Sequence, residues 1–194
     1  MTSLLTGSPW PGLLAWIVLY ISDYAFTIAC ARLYKQQDKI LFEGSFEITP
    51  YYQEDINALR RLSPRFLRAL GTSSVLIVLI WWLTQPPPGT PGLYRLVMGM
   101  LLLVEVTVHI RHLRNWHMYT YGIQAMKGRI EYGRAVMLRT SAIEVLLFAG
   151  LYAMLSAATG SLFILGGAIA CAALGLNHYR LAAKHPASVA NSIT

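Results

Sequence analysis

Apolar residues in this chain gather into five long runs, separated by short polar or proline-containing stretches. A bilayer core takes about 20 helical residues, and each run is long enough to supply them. The pattern predicts membrane helices over about 10–31, 64–84, 92–114, 136–158 and 161–183. Ser8 precedes the first as an N-cap, with Pro9 and Pro11 in the opening turn, and Ser63-Pro64 opens the second in the same way. Gln85-Pro-Pro-Pro-Gly89 reads as a stiff turn between spans two and three, while residues 32–63 and 115–135 form loops on the other side. In the first of these loops Thr49-Pro50, followed by Gln53, Glu54 and Asp55, has the form of a helix start. Ile56, Leu59 and Leu62 continue it as an apolar stripe, which predicts a short helix lying on the membrane surface. The expected fold is therefore all-α: a single transmembrane domain of five transmembrane helices plus one short cytoplasmic amphipathic helix.

Composition strengthens that picture. Of the 194 residues 55% are apolar and only 13% charged, with a mean hydropathy of +0.47. An ordinary soluble domain carries about 25% charged residues, so a water-soluble, disordered, collagen-like or disulfide-framework protein is excluded. Cys30 and Cys171 lie inside apolar segments and make no C-x-x-C, so they read as small buried hydrophobes. The first cation is Arg32; a basic n-region is missing, and the first segment is expected to stay as a membrane helix.

The net charge of +7 changes the picture through its placement. With five spans drawn, every Lys and Arg except Arg95 falls on one side. The positive-inside rule makes that side cytoplasmic, giving a multi-pass protein of the cell membrane with its N-terminus outside and its C-terminus inside. Topology and attraction to anionic lipid account for the charge, with Arg60, Arg61, Arg65, Arg68, Arg111 and Arg114 placed for headgroup contacts. No stacking platform or nucleic-acid module accompanies it, so no nucleic-acid partner is expected.

Polar residues within the spans carry the candidate chemistry, because ionisable groups at membrane depth need a partner or a wet cavity. Asp23, Glu105, His109, His112, Glu144, Asn177 and His178 come from four different spans, yet all fall in the cytoplasmic half or at its edge. Glu105, His109 and His112 stand at i, i+4 and i+7 on one helix face. Carboxylate and imidazole ligands at such spacing suit a divalent metal, with Glu144 as a fourth donor from another span. Three readings compete for this cluster: a closed hydrogen-bond network, a proton or cation pathway, and a bound metal or haem. Asp23 and Thr27 share a face at i, i+4, so the hydroxyl can donate to the carboxylate.

Other features read as packing. Gly167, Cys171 and Gly175 form a small-residue ladder, as do Ala149, Ala153 and Ala157, and both predict close helix contacts within the chain or in a homo-oligomer. Trp10, Trp16, Trp81, Trp82, Tyr94 and Trp116 read as interfacial belt aromatics. There is no G-x-S-x-G, P-loop or Rossmann fingerprint, and nothing in the motifs points to an enzyme.

Asp23-Tyr-Ala-Phe-Thr27 followed by Glu47-Ile-Thr-Pro50 resembles a pattern in uncharacterised small bacterial and archaeal membrane proteins, where Asp and Thr one turn apart precede Glu-x-Asn-Pro. The likeness covers about the first fifty residues; this chain has Thr49 in place of the Asn and a longer intervening loop. That family has no activity to carry over. The resemblance implies only that Asp23, Thr27, Glu47 and Pro50 form a unit near the cytoplasmic face.

The leading functional expectation is a small membrane protein whose polar intramembrane site binds a proton, cation or metal in transport or signalling. An accessory subunit of a larger membrane complex is the alternative, and a membrane enzyme acting on lipid or quinone the third.

Overall fold

A computed structural model describes residues 7–84 and 90–185; the Gln85–Gly89 turn lies outside the described residues. The chain is mostly helical, with five long apolar helices that could cross a membrane: α1 (Pro9–Lys35), α3 (Pro64–Thr84), α4 (Pro91–His117), α5 (Arg134–Thr159) and α6 (Leu162–Ala183). A short α2 (Gln53–Asn57) and two three-residue strands, β1 (Ile40–Phe42) and β2 (Ile130–Tyr132), lie in the two loops.

The helix ends follow local chemistry. Ser8 accepts the Trp10 N–H at the start of α1, and Ser63 Oγ accepts the Arg65 and Phe66 N–H groups at the start of α3. Gly160 has φ 66° and ends α5, its N–H bonded to the Ser156 carbonyl. Ser161 then caps α6 by accepting the Ile164 N–H, which makes α5 and α6 a tight antiparallel hairpin. At its far end α4 outruns the predicted boundary. It passes through a π-helical turn (Met118–Gly122) into a last turn at Ile123–Ala125.

The predicted surface helix is shorter and differently used. Thr49 is not its cap: the helix runs only from Gln53 to Asn57, and after the Ala58 C-cap Leu59 turns left-handed at φ 51° and Arg60 N–H bonds back to the Asp55 carbonyl. Ile56 is buried against Tyr24, Ile28 and Phe66 instead of facing lipid, whereas Leu62 is exposed. Asp55 explains the burial. Its carboxylate accepts from Ser63 Oγ and from Arg60 (2.9 Å), and these bonds, first that from Ser63, hold its carboxyl below the ordinary aspartate range. The loop is thereby pinned to the bundle.

The strand pair was not legible in advance. β1 and β2 run parallel, with Ile40 opposite Ile130 and Phe42 opposite Tyr132, although two long helices separate them in sequence. Lys39 Nζ caps the end of the α4 extension by donating to the Ile123 and Met126 carbonyls, and Arg134 N–H donates to the Glu43 carboxylate. Stacked rings of Tyr34, Phe42 and Phe46 fill the space beneath.

In the bundle α4 is central. It packs against α1, α3 and α6; α6 packs against α5, and α1 against α3. Trp16 and Tyr94, expected in an interfacial belt, are instead core residues packed with Ile77, Met98 and Leu102, and Trp16 Nε1 donates to Ser73 Oγ. The ladder at Gly167, Cys171 and Gly175 is buried, while Ala153 and Ala157 of the other ladder are exposed. Outward faces carry Leu14, Val18, Val75, Leu79, Leu147 and Leu151, as contact with lipid requires.

Candidate ion site and the cavity beside it

α1 and α5 are not packed directly against each other. The gap between them, floored by α4 and α6 and covered by the first loop, is a cavity of about 570 Å³. Asp23 and Thr27 of α1, Glu105, Arg111 and His112 of α4, Ser141 and Glu144 of α5, and His178 of α6 all line it.

At the α1–α4 contact, Asp23, Glu105 and His109 each bring one ligand atom within 4.8 Å of the others. Glu105 is buried and its Oε2 has no hydrogen-bond partner among the described residues. His109 is held in one orientation. Its Nδ1–H donates to the Glu105 carbonyl one turn back at 2.7 Å, and Ser22 Oγ lies 2.7 Å from Nε2. Because a carbonyl only accepts, the proton belongs on Nδ1 and the Nε2 lone pair is the one available to a hydroxyl or a metal. This is the arrangement in which metal-binding histidines are usually set by a backbone carbonyl.

His112, one turn further along α4, faces Asp23 instead. Its Nε2 lies 2.7 Å from Asp23 Oδ1 and 3.2 Å from Thr27 Oγ1, leaving Nδ1 buried without a partner among the described residues. The predicted ligand set Glu105, His109, His112 and Glu144 therefore does not converge on one point. His112 is turned to Asp23, and Glu144 is taken by two guanidiniums: Arg111 Nε at 3.4 Å and an ion pair with Arg114. Arg111, expected among the headgroup cations, points into the cavity because its partner Glu144 is there; its side chain is only 16% exposed. Arg114 reaches the same carboxylate from the rim. Arg60 and Arg65 are held by Asp55 and Glu54, while Arg61 and Arg68 are exposed.

His178 lies across the cavity with Ser141 Oγ at 2.8 Å from its Nδ1, and Asn177 is exposed and takes no part. Glu47 returns from the loop to the cavity wall beside Ile48 and Thr49, accepting the Thr49 N–H at 2.7 Å; burial pushes its carboxyl up from the ordinary range. Asp23, Thr27 and Glu47 thus border one space, while Pro50 is exposed outside it. Sequence reasoning placed Asp23 in the polar site but not in the metal set, and missed Ser22 as the group at His109. It also missed Tyr52, which meets Tyr20 at 2.7 Å on the cavity wall. The adjacency of Ser22 and Asp23 on α1 was the available signal, since the two serve neighbouring turns of α4.

A buried Asp/Glu/His group that could hold an ion is what this geometry provides, in a multi-span helical membrane protein. No family model, curated protein or solved structure matches the chain.

Proposed function

We propose that the protein binds a cation within the membrane at Asp23, Glu105 and His109, in the service of transport or signalling. The observation that carries this reading is that ligand atoms of three residues from two helices, the buried Glu105 among them, lie within 4.8 Å of one another. Two carboxylate oxygens and one imidazole nitrogen suit Mn, Fe or Zn among divalent metals, with water or a further group completing the shell. In this reading the loop end of the bundle is cytoplasmic, the side to which nearly all Lys and Arg belong. The Glu105 carbonyl positions His109, Ser22 gives up Nε2 to the ion and keeps its bond to the Leu19 carbonyl, and the Arg111–Glu144–Arg114 cluster sets the charge on the far wall.

The test is direct. Chain purified in mild detergent, equilibrated with Mn²⁺ or Zn²⁺ and desalted, is expected to retain stoichiometric metal by elemental analysis. Asp23→Asn, Glu105→Gln and His109→Ala should each lose it, while Asp38→Asn on the exposed loop keeps it. Equal metal in all four variants would refute the site.

A further inference from the structure

A bare ion needs only a point between ligands, but the space beside this point is far larger. We infer that the cavity between α1 and α5 receives an organic cation with an apolar body, its charged head at Asp23 and Glu105 and its body against the aromatic residues of the covering loop. The inference rests on the cation site proposed above and names the class of ligand it takes.

Size comes first. The cavity measures about 570 Å³, within the range of about 300–1,000 Å³ that small-molecule sites occupy. Charge comes second. Four carboxylates face the cavity, Asp23, Glu47, Glu105 and Glu144, against two guanidiniums, Arg111 and Arg114. Both guanidiniums are turned on Glu144, and His112 is turned on Asp23. Glu105 is left over. It is more than nine-tenths buried, it lines the cavity, and its Oε2 has no hydrogen-bond partner among the described residues. A buried carboxylate with an unpartnered oxygen is costly, and a cationic ligand offsets that cost with opposite charge. An anionic ligand would add to the excess.

The walls make up the third element. Tyr20 and Tyr52 meet at 2.7 Å between their hydroxyls, and Phe46 and Tyr119 face the same space from the loop and the end of α4. Aromatic side chains beside carboxylates suit an ammonium or phosphonium group with an apolar body. A hydrated inorganic ion would gain nothing from these rings.

Tetraphenylphosphonium and tetraphenylborate are probes of matched shape and opposite charge. Purified full-length chain is expected to bind radiolabelled tetraphenylphosphonium saturably, and labelled tetraphenylborate, in separate samples, not at all. Glu105→Gln should weaken phosphonium binding at least tenfold. Phe46→Ala, outside the spans, should weaken it severalfold while leaving metal retention unchanged, which guards against a folding defect in the first variant. Saturable binding of both probes, or equal phosphonium binding by Glu105→Gln and the parent, would overturn the inference. Metal retention without phosphonium binding would overturn it and leave the ion site standing. Phosphonium binding weakened in both variants, with metal still retained by Phe46→Ala, would support it; loss of metal by Phe46→Ala as well, or binding of neither metal nor phosphonium by the parent, would count against it.

Discussion

One helix of this protein has two faces that are held in place by opposite means. Along α4, Gly99, Leu103 and Thr107 meet α6, whereas Glu105, His109 and His112 meet α1. The first face is dry and close: Gly99 lies against the Phe163 carbonyl, Gly166 against the Leu96 carbonyl and Gly167 against Leu103. The second is polar and borders a cavity. In lipid, apolar helices gain nothing from leaving the solvent, so association depends on close packing or on polar contacts. Here the two are divided. The glycine seam holds α4 in place, and that leaves its other face free to carry a carboxylate whose Oε2 has no hydrogen-bond partner among the described residues.

The largest expected effect lies in the seam. A Cβ at Gly166 would fall on the Leu96 carbonyl, and one at Gly99 on that of Phe163; both obstacles are backbone and cannot swing aside. Gly166→Ala is expected to cost about 1–3 kcal/mol or more, because the helices must separate along their length. Gly150→Ala on α5, where the space is open, is the matched control and should be neutral or slightly stabilising. Thermal unfolding in detergent compares them. If Gly166→Ala unfolds no earlier than Gly150→Ala, the seam does not anchor α4.

The polar face should behave in reverse. Glu105→Leu removes a buried carboxylate whose Oε2 lacks a hydrogen-bond partner among the described residues, and replaces it with a side chain of similar bulk. Stability is expected to rise by about 1 kcal/mol, since the cost of an unsatisfied buried polar group disappears. Metal retention should vanish in the same sample. A loss of stability instead would make Glu105 part of a structural network, and the contrast between the faces would fail.

How much of this was legible follows from which contacts are local. The five spans follow from run length, and the shared face of Glu105, His109 and His112 follows from helical spacing alone. So does the shared face of Asp23 and Thr27 on α1, and both residues meet His112. What could not be read is the rotation of one helix against another. That rotation decides that Ser22 bonds His109 while Asp23 bonds His112, and that Glu144 is claimed by Arg111 and Arg114 instead of joining Asp23, Glu105 and His109. The strand pair was hidden for a different reason. Three residues are too few to display alternation, and the partners lie on either side of α3 and α4. Trp16 and Tyr94 were misplaced because an aromatic near a helix end looks the same whether it faces the headgroups or, through Ser73 and Met98, the bundle core.

The smallest effect tests whether the seam uses any polar adhesive. Thr107 is fully buried on the α6 side; its hydroxyl donates to the Leu103 carbonyl one turn back and lies 3.3 Å from Tyr152 Oη and 3.6 Å from Cys171 Sγ. Three helices thus meet at one hydroxyl. Thr107→Val keeps the shape and removes the oxygen. Tyr152 retains an acceptor, the Leu103 carbonyl at 3.4 Å, so no buried donor is stranded. The expected cost is about 0.6 kcal/mol, the average for a hydrogen bond between membrane helices. Unfolding of Thr107→Val alongside Gly166→Ala sets the two contributions on one scale. A loss from Thr107→Val as large as that from the glycine change would mean that hydrogen bonding, and not close approach, holds α4 to α5 and α6.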